Sequence, residues 1–217
     1  MNGSKKATMK QFATRSKPYL FFALIFVSCH SVSASVLVTN SGPGIIATSA
    51  FADTYGFDFT VGTDPLLVTA LGIWDENSNG LANSHSIGLW TNSGTLLGMV
   101  TIPSGNSATL SGQFRFVSLL LPVTLSSGQK YVLGAGFGPA DADRYVSNFD
   151  GQQATFDSAV SPGISRFAHP GFGFPSLTGD AGSVVGPNAS FTVVPEPGTA
   201  VLLFSATILL ARRRVHR

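Results

Sequence analysis

Between residues 35 and 194, short apolar runs alternate with clusters of Gly, Pro, Asn and Ser. Phe57, Phe59 and Val61 alternate with Asp58 and Thr60, the period-two pattern of a strand that buries one face and wets the other. The same reading predicts strands at 36–39, 55–61, 66–74, 86–90, 95–102, 114–121, 130–136, 145–148 and 190–194. Runs of this length, rich in Val, Leu, Phe and Thr, indicate an all-β fold, specifically an antiparallel β-sandwich or jelly roll. No window of helical period competes with them outside the two chain ends. Asn92, Ser93 and Gly94 between Trp90 and Leu96 read as a hairpin loop in which Gly94 takes positive φ. Residues 151–189 include the Gly- and Phe-rich stretch 171–175 and have little periodicity, so they are expected to form a long ordered loop or a mobile surface.

The ends follow a different pattern. Lys5, Lys6, Lys10, Arg15 and Lys17 precede an apolar run from Tyr19 to Val27, and small residues follow. That order is the secretory signal pattern, with Val32 and Ala34 at the small positions and cleavage expected after Ala34. An uncleaved anchor is the alternative, against which stands a run much shorter than the roughly 20 residues that span a bilayer. Lipoprotein processing at Cys29 is a second alternative, for which Phe26 and Val27 make a poor lipobox.

At the other end Pro195, Glu196 and Pro197 precede an apolar run from Ala200 to Ala211 and then Arg212, Arg213 and Arg214. The two prolines break any preceding strand, because each fixes φ and lacks an N–H donor. As a helix the apolar run would be roughly 20 Å long against a hydrocarbon core of about 30 Å, a short transmembrane helix. The arginines would hold its C-terminal end in the cytoplasm and leave everything upstream outside.

This triplet, apolar segment and arginine cluster resemble the PEP-CTERM sorting signal of exported bacterial proteins. The resemblance implies that Pro195, Glu196 and Pro197 are the recognition motif for an exosortase-like membrane enzyme, with this chain as its substrate. It also implies transient anchoring in the inner membrane, then display at the cell surface or release near extracellular polysaccharide, as in a biofilm matrix. An ordinary tail anchor with a coincidental triplet is the alternative. Three segments follow: residues 1–34 as signal peptide, 35–194 as a β domain, and 195–217 as sorting and anchoring tail. Within the domain, residues 50–140 are similar to β-rich extracellular domains often found ahead of such tails. That likeness rests on stretches such as Gly56–Val61, Val68–Asp75 and Ile87–Trp90, and it implies a sandwich without an assigned activity.

Charge narrows the partners. Residues 35–197 hold four cations, Arg115, Lys130, Arg144 and Arg166, against all eleven acids of the chain, a net of −7. An acidic body without a basic stripe argues against nucleic acid. Cys29, the one cysteine, lies in the signal, so the domain is held by its apolar core and not by disulfides.

Asp75, Asn77, Asn79 and Gly80 match the first half of a calcium loop, in which alternate oxygens converge and Gly permits the turn. Ser86 stands where an EF-hand would place its bidentate Glu, so the choice lies between a plain turn and a β-loop Ca2+ site completed by Asp141 or Asp143. Asp141, Asp143 and Asp150, around Arg144 and Tyr145, read as a solvated polar loop, or as a cation or sugar site with Trp74, Trp90 and Tyr145 as rings. The two tryptophans sit on strongly apolar strands and are expected in the core. His85 and His169 are the only histidines of the domain, and no nucleophile elbow, paired-histidine zinc motif or phosphate loop accompanies them. The sequence therefore predicts a non-enzymatic surface or matrix protein, with a carbohydrate- or calcium-binding adhesive module as the alternative.

Overall fold

A computed structural model describes residues 33–41, 44–147, 154–179 and 184–194. The expected signal segment through Val32, the motif at Pro195, Glu196 and Pro197, and the cluster at Arg212, Arg213 and Arg214 lie outside the described residues, as does Asp150. In chain order the strands are β1 (Ser35–Val36), β2 (Val38–Asn40), β3 (Ile45–Ala47), β4 (Asp53–Val61), β5 (Leu66–Trp74), β6 (His85–Thr91), β7 (Leu96–Ile102) and β8 (Thr109–Ser111). They continue with β9 (Phe114–Leu125), β10 (Lys130–Phe137), β11 (Tyr145–Ser147), β12 (Thr155–Phe156), β13 (Val160–Ala168), β14 (Leu177–Thr178), β15 (Val184–Val185) and β16 (Pro187–Val193). The fold is all-β. Among the described residues one turn of 3-10 helix, Glu76–Ser78, is the only helix, and none is long and apolar enough to cross a membrane.

A six-stranded sheet runs β14-β13-β4-β10-β6-β7, and a five-stranded sheet runs β1-β16-β5-β9-β8. Two small sheets, β15-β11-β3 and β12-β2, complete the pairing. Every strand pairing among the described residues is antiparallel. The odd-numbered residues of the central strands, Phe57, Phe59, Ile87, Leu89 and Leu133, share one continuous core with Leu66, Val68, Leu71, Ile73 and Phe191 of the second sheet. Each such side chain contributes on the order of 1.5–3 kcal/mol by leaving water. β5 changes parity partway, from Leu66 and Val68 to Leu71 and Ile73. Register shifts against both β16 and β9 bracket Thr69, and the bulge turns the apolar set back to the same face.

The outer face of the six-stranded sheet departs from the expected wet surface. Asp58 has no exposure at all. Its carboxylate accepts hydrogen bonds from the Ile164 N–H (3.1 Å) and Arg166 Nε (2.8 Å), with Lys130 Nζ 3.5 Å away. Beyond Asp58, Gly88, Gly134 and Gly56 stand in direct register across three strands. Gly88 and Gly134 leave room for the Trp90 indole, whose Cη2 would lie 2.2 Å from a Cβ on Gly88, while a Cβ on Gly56 would meet the Leu133 carbonyl. Phe172 and Phe174 pack on Trp90 with ring centroids at 5.7 and 6.2 Å. Thr54 pins the covering segment by donating to the Gly171 carbonyl and accepting from the Gly173 N–H.

Residues 151–189 are therefore not one loop. They supply β13, which joins the sheet beside β4, the small strands β12, β14 and β15, and the start of β16, while 169–175 cover the sheet. The period-two signal of β13 is interrupted because its register shifts between Pro162 and Ser165, where Gly163 packs directly on Asp58. The hairpin at Asn92–Gly94 forms as expected, with Gly94 at φ 95°.

Candidate functional site

β6 begins at His85 and β10 ends at Phe137, and their antiparallel register sets the mouths of the two strands side by side. The segment after β10 folds back through Asp141 and Asp143, so His85 meets the Asp143 carboxylate 58 residues away. His85 is buried, with Phe137 tilted against its ring at 5.2 Å. Its Nδ1 lies 2.9 Å from the Gly136 carbonyl and its Nε2 lies 2.9 Å from Asp143 Oδ2.

Both carboxylates are oriented by backbone donors. Asp143 accepts the Ala82 and Asn83 N–H groups at 2.9 and 2.8 Å, while Asp141 accepts those of Gly138 and Asp143 and the Asn83 amide Nδ2. Burial alone would depress the His85 pKa, but the Asp143 carboxylate and the Gly136 carbonyl outweigh it and hold the imidazole above its ordinary value. Burial pushes the Asp143 carboxyl up, and the His85 and backbone hydrogen bonds more than offset this, so its pKa is lowered. The expected solvated loop is thus an ordered network, with Asp141 itself buried.

A cleft of about 330 Å³ adjoins it, lined by Asp75, Glu76, Asn77, Asn79, Asp143 and others. The candidate calcium loop and the 141–144 segment therefore do meet. The Asp75 side chain, however, is engaged from both sides. It accepts the Gly80 N–H (3.0 Å) and Arg115 Nε (2.6 Å), and both members of this ion pair are buried. Asn77 and Ser78 follow with φ of 65° and 57°, and Gly80 has φ 107°, so the segment is a tight turn closed on Asp75. Arg144 reaches Glu76 at 2.5 Å on the rim. Trp74, Trp90 and Tyr145, the expected rings, are all buried. Tyr145 stacks on Tyr55 at 4.7 Å, and the Tyr55 hydroxyl donates to Asp53. His85 was not expected beside Asp141 and Asp143, since only the β6–β10 register makes them neighbours.

No curated protein matches the chain. Among solved structures, it is similar to the infectious bursal disease virus VP2 subviral particle at 15% identity and a TM-score of 0.27, covering 86% of this chain and 51% of that one. It is likewise similar to T=1 particles derived from the same virus, at 16% identity and a TM-score of 0.24, covering 86% and 49%. The chain thus spans about half the length of these structures. A family profile described as "Domain of unknown function (DUF4082)" matches residues 43–183, nearly two thirds of the sequence and most of the strands above. The chain belongs to the DUF4082 family.

Proposed function

We propose that the chain is a non-enzymatic exported protein of the PEP-CTERM type. In this reading an exosortase-like enzyme sorts it through Pro195, Glu196 and Pro197 to the cell surface or an extracellular polysaccharide matrix. Its body is an antiparallel sandwich of the jelly-roll kind, flanked by a signal helix and a short C-terminal membrane helix. The observation that carries the reading is the three-part order of triplet, apolar run and arginines. A further support comes from where the domain closes. β16 ends at Val193, and the Val194 N–H donates to the Pro65 carbonyl, one residue before the triplet. At the other end Ser35 already pairs with Phe191, so cleavage after Ala34 removes nothing the sheet uses. Replacing Pro195, Glu196 and Pro197 by alanine in the native host tests the reading. Retention in the inner membrane with an unprocessed C-terminus is expected; unchanged location and mass would refute it.

The adhesive-module reading retains one specific support, the acidic cleft lined by Asp75, Glu76 and Asp143. Melting with and without millimolar calcium separates it from the first: a calcium-dependent rise in Tm favours the module, an unchanged Tm the purely structural body.

A further inference from the structure

The geometry points to a divalent transition-metal site of the zinc type formed by His85 Nε2, Asp141 and Asp143. The inference is independent of how the chain is sorted. It starts from a contact that needs an electrophile between its two atoms. A carbonyl oxygen can only accept, so the Nδ1 that lies 2.9 Å from the Gly136 carbonyl carries its hydrogen. That fixes the ring with Nε2 aimed at Asp143 Oδ2, 2.9 Å away. A neutral imidazole would then set a lone pair against a carboxylate in a buried place. Something electrophilic must satisfy both atoms, and the two candidates are a proton and a metal ion.

Three features favour the metal. One ligand atom from each of His85, Asp141 and Asp143 lies within 4.8 Å of the others, and bonds of about 2.0–2.2 Å to a common ion need ligand atoms roughly 3.4 Å apart, so a side-chain rotation that opens the 2.9 Å Nε2–Oδ2 contact by about half an ångström admits the ion. Charge is the second feature. Two carboxylates face one imidazole, so a proton leaves the cluster at −1 while a divalent ion neutralises it. Arg144, the nearby cation, is turned to Glu76 instead. The third is the surrounding shell. A ligating histidine characteristically donates its other N–H to a carbonyl, and ligating carboxylates are themselves hydrogen-bonded, as Asp141 and Asp143 are by Gly138, Ala82 and Asn83. The adjoining cleft, which Asp143 lines, lets water complete the coordination. Imidazole nitrogen with only two carboxylates suits zinc and cobalt, whereas calcium takes six to eight oxygens.

The test uses full-length protein purified without a histidine tag and stripped by chelator. Zinc titrated calorimetrically is expected to bind at one equivalent and to raise Tm, calcium at the same concentration to do neither, and cobalt to give a visible d–d band that zinc abolishes. His85→Gln and Asp143→Asn are each expected to weaken zinc binding by more than tenfold. If His85→Gln does not fold, Asp141→Asn, which keeps the shape of the carboxylate, carries the same expectation. Folded wild-type protein with no zinc heat and no cobalt band would overturn the proposal and leave the contact as a proton-bridged ion pair. So would zinc binding that all three variants retain.

Discussion

Arg115→Met isolates what the buried ion pair beneath the 75–80 turn contributes. The guanidinium donates to Asp75 Oδ2 at 2.6 Å and to the carbonyls of Asn106, Ala108 and Ser78 at 3.0, 3.1 and 3.5 Å. Both partners are almost sealed from water, at 4% exposure for Arg115 and 2% for Asp75. Methionine fills much of the volume but leaves the Asp75 carboxylate with the Gly80 N–H as its remaining donor and leaves three carbonyls short of theirs. Removing one member of a buried pair costs about 3–5 kcal/mol. In a domain of this size that corresponds to a fall in Tm of roughly 6–20 °C. Asp75→Asn is expected to cost a similar amount by stranding the guanidinium. The double variant should lose less than the sum of the two, because the second change removes the charge that the first orphaned. Urea unfolding of the four proteins closes the cycle. A loss under about 1 kcal/mol for Arg115→Met, or strict additivity in the double variant, would refute the reasoning.

Two further outcomes follow from packing. Gly88→Ala places a Cβ 2.2 Å from the Trp90 ring and is expected to cost about 1–3 kcal/mol, whereas Gly173→Ala, with nothing within 4 Å of its Cβ, should be near neutral by the same thermal melt. Leu119 is 8% exposed and Leu120 96%, so Leu119→Ala should cost about 2–5 kcal/mol and Leu120→Ala less than about 0.5 in urea unfolding.

What the sequence revealed depended on how far a period-two pattern ran uninterrupted. β4, β6 and β10 were legible because Phe57, Phe59, Leu89 and Leu133 keep their parity on a central sheet. β13 was not, because its alternation breaks at a bulge whose purpose is to receive Asp58 from the neighbouring strand. Asp58 itself looked like a wet-face residue, since nothing local to it announces Arg166, 108 residues on. The short strands β3 and β8 have exposed faces and are defined by their partners more than by their own residues. For the site, the turn at Asp75 to Gly80 was readable from Asn and Gly. The pairing of Asp75 with Arg115 and of His85 with Asp143 depends on register between distant strands, which one sequence does not display.

The pairing of β1 with β16 has a practical consequence. Antiparallel register sets Ser35 opposite Phe191, so the backbone before Ser35 runs out alongside the backbone after Phe191. The first and last described strands therefore lie side by side, with Ser35 and Val193 within about 10 Å by strand spacing and rise per residue. Segments attached at Ser35 and at Val193 thus leave the sheet from one edge, so a short linker of about four residues is long enough to bridge the two positions.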